Sequence, residues 1–509
     1  MSSPPLSFGR PGFARLVQDK PVLAAALLVL LAVAALFPYR HFAGDDAYIT
    51  FRFARNLAEG GGFAFNAGTP TYGSTAPLWV FLIAGLHKLG LDVPDAAHLM
   101  NWIFAVADIL LFFRLAWLYL ESRTAAWIAT LLLLADPWFI RWSISGMENA
   151  LALALLMGML LSQLQLRNSG LVNWLAPLLA ALAGLCRPEM TLLSGLLVLD
   201  NLLLERRRLL ANLVAACIAY GVIFIPWLWY ALSVFHSPIP NTITAKVSGD
   251  HLLALQRVGL YFATFWTFQA LAIAAVLLIG PLRQRCFQQL RGQSGNWLLP
   301  VAWAMILPAF YIAGGAPVAG RYMVFGLPCY LLIGVTAWTV LWSRFPPLVG
   351  GAVVATLLLM FFVQYKYCWY ITRWPQGMDP RIIDAALTLK SISHSTDQVA
   401  ADQIGVLGYY SDRAVLDTYG LASPEILPYR RMKDPAAVWR YVHERGVQFL
   451  FVINTIEELS SLDPVYKSLS LVRAMPVQRE GANAADGPTL YYLYRTNWEP
   501  PTTAHLAVK

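Results

Sequence analysis

Residues 22–37 read V-L-A-A-A-L-L-V-L-L-A-V-A-A-L-F, an apolar run that follows Arg10, Arg15 and Lys20 and precedes the acidic pair Asp45-Asp46. No small-residue cleavage site comes after it, so it reads as an uncleaved first membrane helix with its N-terminus in the cytoplasm. The remainder of the chain repeats the pattern. Of 509 residues 58% are hydrophobic and 13% charged, against about 25% charged in an ordinary soluble domain, and a globular core cannot absorb so much apolar surface. The charge is also uneven: residues 1–370 hold 23 Lys+Arg and 14 Asp+Glu, whereas the last 139 residues hold 14 and 15. A membrane body of residues 1–370 and a soluble domain of residues 371–509 account for that step.

Further runs long enough to span, near 20 residues each, fall at about 98–120, 124–142, 147–166, 171–186, 189–204, 209–233, 258–281, 296–313, 322–343 and 347–367, which predicts eleven spans in all. The 14-residue stretch 78–91 carries His87 and Lys88 and could either cross or lie at the interface. With that stretch lying at the interface, Arg123, Arg167, Arg206-Arg207-Arg208, Arg283, Arg285, Arg291 and Arg344 all fall in cytoplasmic loops, as the positive-inside rule requires. Residues 39–97 then form one long outer loop, and the odd span count puts the C-terminal domain on the same outer side. The expectation is a multi-pass membrane protein with the first loop and the C-terminal domain on the outer side.

The C-terminal domain reads as mixed α/β, with helices at 381–392 and 436–445 and strands at 398–401, 447–454 and near Leu469 and Leu490. Cys186, Cys217, Cys286, Cys329 and Cys368 are scattered, with no pair at metal-ligand spacing. The formal charge of +8 belongs to loops facing membrane lipids, and nucleic acid is excluded as a partner. Gly60-Gly61-Gly62 is turn punctuation, because no Gly-Lys-Ser/Thr follows and a P-loop is thereby ruled out. Trp138, Trp142, Trp227, Trp229 and Trp369 lie near helix ends, where an aromatic belt forms.

With this topology the polar residues that are expensive near a membrane gather at outer helix ends: Asp45-Asp46, Glu148, Arg187 with Glu189, Asn241 with Lys246, and Arg321-Tyr322. An acidic pair suits general-base work on a sugar hydroxyl or stabilisation of an oxocarbenium-like charge; equally, it suits capping of the helix that follows. Arg321, Arg187 and Lys246 suit either a lipid phosphate or snorkelling to the interface. Arg52 and Arg55 suit phosphate binding or pairing with Glu59. A lipid or polysaccharide transporter is the alternative in this size class, but transporters carry polar groups near the bilayer midplane on broken helices.

The string Gly44-Asp45-Asp46-Ala47-Tyr48-Ile49-Thr50-Phe51-Arg52-Phe53-Ala54-Arg55-Asn56-Leu57, with Tyr72-Gly73-Ser74-Thr75-Ala76-Pro77-Leu78-Trp79 after it, resembles the first outer loop of GT-C membrane glycosyltransferases. The likeness is greatest to the terminal arabinofuranosyltransferases of the mycobacterial cell wall. Ser145-Gly146-Met147-Glu148, Arg187-Pro188-Glu189, Pro240-Asn241-Thr242, Ala245-Lys246, Arg321-Tyr322, Ile404-Gly405 and Asp417-Thr418-Tyr419-Gly420-Leu421 extend it over nearly the whole chain. The resemblance implies a polytopic α-helical membrane protein of GT-C type with a C-terminal soluble α/β domain, taking a polyprenyl-phosphate sugar donor, arabinofuranose by subfamily, to a glycan or protein acceptor. It implies Asp45 or Asp46 as the catalytic carboxylate. Arg321, Lys246, Arg187 and Arg52 would bind the donor phosphate, and Tyr48, Tyr72, Ser74, Glu148, Glu189, Asn241 and Tyr322 would line the pocket. A divalent cation, Mg or Mn, at Asp45-Asp46 is an open possibility within the superfamily.

Overall fold

The structure is a computed structural model that describes residues 21–498 apart from 168, 170, 205–207, 247–248, 293–296, 316–319, 368–379 and 478–488. Arg10, Arg15, Lys20, Arg206, Arg207, Cys368 and Trp369 lie outside the described residues, as do the side chains of Lys246 and Arg291. The chain divides into two units, one of Met1–Arg40, His98–Trp227 and Val247–Thr372, the other of His41–Ala97, Leu228–Lys246 and Arg373–Lys509.

Helices occupy each apolar stretch of the sequence, yet the count of eleven spans is corrected. Among the described residues six helices are long and apolar enough to cross a membrane: Pro21–Tyr39, Val93–Leu120, Asn149–Leu166, Leu209–Phe235, Gly320–Trp342 and Pro346–Lys366. A bent pair, His251–Ala263 and Thr267–Leu278, turns through 91° and makes a seventh if taken as one span. Arg123–Ala135, Leu175–Cys186 and Leu298–Ala313 are apolar but shorter; at 1.5 Å per residue a 12-residue helix rises only about 18 Å. The expected single helix 124–142 is two, because Asp136 leaves helical geometry and its Oδ1 accepts the N–H groups of Trp138 and Phe139, each at 2.9 Å, restarting the chain as Pro137–Ser143. Proline at the first position of the new helix suits that restart.

In the first unit the helices Asn149–Leu166, Leu175–Cys186 and Leu192–Leu204 pack as an apolar block with polar clasps at its ends. At one end Arg167 pairs with Asp200, while Gln163 donates to Asp200 Oδ2 at 2.7 Å and to Asn201 at 3.2 Å. Asn173 donates to Gln163 at 3.0 Å and accepts from Ser162 at 2.8 Å, and Asn212 donates to Asn201 at 3.2 Å. Each of these side chains is buried, and the network satisfies polar groups that apolar packing could not.

The second unit is built on a five-stranded sheet of order β2-β1-β3-β5-β4, with β1 Gln398–Ala401, β2 Ala414–Asp417, β3 Phe449–Val452, β4 Ser470–Val477 and β5 Thr489–Arg495. β1 runs parallel to both β2 and β3, and β5 is antiparallel to β3 and β4. All four residues of β3 are buried, as befits a central strand covered on both faces. Helices at Pro380–Ile392 and Ala437–Glu444 stand where the periodicity predicts them. β2 and the seven-residue helix Gly405–Ser411 do not appear in the sequence reading. β2 is an edge strand, and a loop residue closes it: the Asn66 amide donates to the Val415 carbonyl and accepts its N–H, both at 2.9 Å, in place of a further strand.

Replacing Asp200 by Ala strands the Arg167 guanidinium in the apolar block. Thermal unfolding of the detergent-purified chain should show a loss of about 3–5 kcal/mol, whereas the double replacement Arg167→Met with Asp200→Leu should recover most of it.

Candidate functional site

The loop helix Asp45–Ala58 starts after Gly44, whose extended backbone supplies no side-chain cap, so Asp45 and Asp46 occupy its first turn. Negative charge there complements the helix dipole. Neighbouring residues on a helix diverge by about 100°, so the two carboxylates leave the helix in different directions. Asp45 Oδ1 accepts the N–H of Val406 at 2.8 Å and Oδ2 accepts that of Gly405 at 3.1 Å. The helix Gly405–Ser411 gets no side-chain cap from its own Ile404; Asp45 caps it from 360 residues upstream. The approach is so close that a Cβ on Gly405 would overlap the Asp45 main-chain carbonyl.

The same two helices are in contact further along. Tyr48 is buried against Tyr409 and Tyr410, with ring centroids 5.5 and 5.6 Å away. Burial, then Tyr410, pushes its phenol above the ordinary tyrosine value. Arg52 is 4% exposed, lies over the Phe65 ring at 4.6 Å, and donates from Nη2 to the Arg413 carbonyl at 2.7 Å and to Asn66 Oδ1 at 3.4 Å. Gly408 admits it, since a Cβ there would strike Nη1 and the Phe65 ring. Burial first, and then Arg55, pull the Arg52 guanidinium down to about 9, still cationic at neutral pH.

Other expected pocket residues of this unit make contacts within it. The Tyr72 ring stacks on Phe235 at 5.1 Å and its carbonyl accepts the Asn241 N–H at 2.8 Å. Thr242 donates to the Gly73 carbonyl at 2.6 Å, and Ser74 Oγ accepts the Ala76 N–H at 3.3 Å. Lys246 ends the helix Asn241–Lys246. The tail motif at Asp417 folds as a tight loop: its carboxylate accepts N–H groups from Tyr419 and Ala422, each at 2.8 Å. Burial pushes its pKa above the ordinary aspartate value, against the opposing pull of those backbone donors.

The first unit brings together a second group. Arg187 donates from Nη1 to Glu148 at 2.7 Å and from Nε to Glu189 at 2.9 Å, and Tyr311 donates to Glu189 at 2.6 Å. All are buried. The aromatic rings of Tyr322 and Phe325 flank the guanidinium at 5.3 and 5.2 Å. Arg321 lies over Tyr322 at 5.0 Å and over Trp142 at 5.7 Å, and donates to the Tyr322 hydroxyl at 3.1 Å. Glu148, Glu189, Arg187, Arg321 and Tyr322 thus form one cluster. Tyr311, Trp142 and Phe325 join it without any signal in the sequence beyond their being aromatic on apolar helices.

A divalent cation at Asp45-Asp46 finds a poor donor set. Both Asp45 oxygens are engaged by main-chain N–H groups, and no group of three or more His, Cys, Asp or Glu able to hold a metal exists among the described residues.

Asp45→Ala should remove the cap of Gly405–Ser411 at a cost of about 1–2 kcal/mol, read as faster amide hydrogen exchange confined to that helix and the loop helix. Asp46→Asn should leave that exchange pattern unchanged; equal effects of the two would contradict the division of labour between them.

Residues 375–503 match a family model described as a domain of unknown function, DUF8728. No curated protein matches the sequence. Among solved structures, ArnT from Cupriavidus metallidurans bound to undecaprenyl phosphate is similar over 93% of this chain and 97% of that one, with 14% identity and a TM-score of 0.57. Its apo form is similar over 94% and 98%, with 15% identity and a TM-score of 0.56. The arabinofuranosyltransferase AftD from Mycobacteria is similar over 95% of this chain but only 40% of its own length, with 16% identity and a TM-score of 0.52. This polytopic helical chain with its small C-terminal sheet therefore has the fold of the GT-C membrane glycosyltransferases.

Proposed function

We propose that this chain transfers a sugar, arabinofuranose, from a polyprenyl-phosphate donor to an acceptor hydroxyl on a glycan or protein at the outer face of the bacterial inner membrane. What carries the reading is a fold shared over 93% of the chain with a protein solved holding undecaprenyl phosphate. The acidic pair heading the loop helix supplies the carboxylate such a reaction needs. Asp45 is committed to two main-chain N–H groups, and its role is to set the angle of the helix. Asp46, one residue on, takes the proton from the acceptor hydroxyl as the new glycosidic bond forms. The bond that breaks joins the anomeric carbon to the phosphate oxygen, and Arg321 as a fork neutralises the departing lipid phosphate.

Arg187 takes a different part. With two carboxylates on it it carries no spare positive charge for a phosphate; it holds Glu148 and Glu189 in place, and these with Tyr322 line the sugar pocket. The donor sugar rests on the first-loop string shared with the arabinofuranosyltransferases.

The test is transfer of radiolabelled sugar by membranes containing each variant, with synthetic polyprenyl-phosphate arabinofuranose and its mannosyl and glucosyl counterparts. Wild type should transfer arabinose, Asp46→Asn should lose at least about 100-fold in kcat, and Arg321→Gln should raise the KM for donor. Asp45→Asn should keep more activity than Asp46→Asn. Wild-type inertness with every donor would shift the reading to a lipid transporter; mannose or glucose transfer would keep the enzyme and replace the sugar.

A further inference from the structure

Within the second unit a cavity of about 420 Å³ opens between the loop segment and the tail sheet, with Arg52, Asn66, Thr69, Gln398, Glu425 and Arg445 among its walls. The volume suits a small ligand. No aromatic or branched aliphatic residue lines it; the remaining walls are Asn, Asp, Ser, Thr, Pro and Ala. A lipid tail or an amphipathic helix would gain little there, whereas a molecule covered in hydroxyl groups meets donors and acceptors on every side. Asp45 and Asp46 are not part of the cavity, and Arg52 stands seven residues from Asp45, about 10 Å along the helix.

Arg52 identifies the charge of the ligand. It is 4% exposed, its Nε and Nη1 have no hydrogen-bond partner, and no carboxylate of the described residues pairs with it. A buried guanidinium left so is costly unless something anionic arrives. Asp412, the nearest acid on the wall, is already paired with Arg55 at 3.1 Å. Arg445, exposed at the rim, adds a second positive charge, and Glu425 is left to accept from sugar hydroxyls.

We propose that this cavity binds a saccharide unit bearing an anionic group, a carboxylate or a phosphate, with Arg52 on the anion and the amide, hydroxyl and Glu425 groups on the ring hydroxyls. The site stands whether or not the chain is a transferase, so its test reads binding without turnover. The detergent-purified full chain is titrated calorimetrically, with no donor lipid present, against glucuronate, glucose 1-phosphate, glucose and inorganic phosphate. At least one anionic sugar should bind ten or more times tighter than glucose; preference for glucuronate assigns the carboxylate, and preference for glucose 1-phosphate the phosphate. Arg52→Gln should abolish that preference, and Thr69→Trp, at an exposed position, should block the mouth and weaken both sugars at least tenfold with an unchanged melting temperature. Equal affinity for glucose and both anionic sugars, inorganic phosphate binding as tightly as any anionic sugar, or affinity within twofold of wild type in Thr69→Trp would overturn the proposal.

Discussion

Two hydrogen bonds accepted by one carboxylate organise the second unit: the N–H groups of Gly405 and Val406 donate to Asp45 across about 360 residues of sequence. Charge-assisted bonds of this kind are among the stronger ones available, and they act here where a short helix has no cap of its own. The loop helix cannot rotate about its axis without breaking them, so the direction of every side chain on it follows. Tyr48 goes to the tyrosines of the tail helix, and Arg52 goes to the Arg413 carbonyl. Asp46, displaced by about 100° from Asp45, is aimed by its neighbour's commitment. The tail thereby serves as the reference frame of the acidic pair, which explains why a chemistry-bearing loop and a sheet domain so far downstream belong to one compact unit.

The first unit solves a different problem with the same economy. Asn149–Leu166, Leu175–Cys186 and Leu192–Leu204 are apolar over their length, and each is bounded by charge. Glu148, Arg187 and Glu189 stand at the beginning, end and approach of these three helices, while Arg167, Asn173 and Asp200 stand near their opposite termini. Leu175–Cys186 separates Asn173 from Arg187 by about 18 Å of helix. Ionic groups at both ends leave the middle to van der Waals packing, the arrangement that costs least in an apolar solvent, and they hold the short helix in register with its longer neighbours.

The apolar runs were legible because a membrane demands them, and so were the tail elements with clear periodicity, such as Ala437–Glu444 and β3. What escaped was whatever depends on partners distant in sequence. β2 is four residues long and ends in Asp417, with no alternation to reveal it; it is a strand because β1 lies beside it and Asn66 seals its edge. The two halves of the 124–142 helix were written in Asp136-Pro137, a local signal outweighed by continuous hydrophobicity. Asp45 showed both of its possible meanings in the sequence, catalysis and capping, and it does cap, but a helix that no local rule could connect to it. The short helices of the membrane unit read as spans because composition reports apolarity and not length after the breaks.

Charge balance separates two arginines that sequence reasoning treated alike. Arg187 and Arg52 are both expected from the sequence to bind the donor phosphate, and both are buried. Around Arg187 two carboxylates sit at 2.7 and 2.9 Å, so its charge is already answered within the protein. Around Arg52 there is a carbonyl, an amide oxygen and an aromatic face, all dipoles, which solvate a cation without neutralising it. Burial disfavours its charged form, and an arriving anion would reverse that. Two residues with the same chemistry therefore have opposite requirements: one is complete within the protein, and the other is complete only with a ligand.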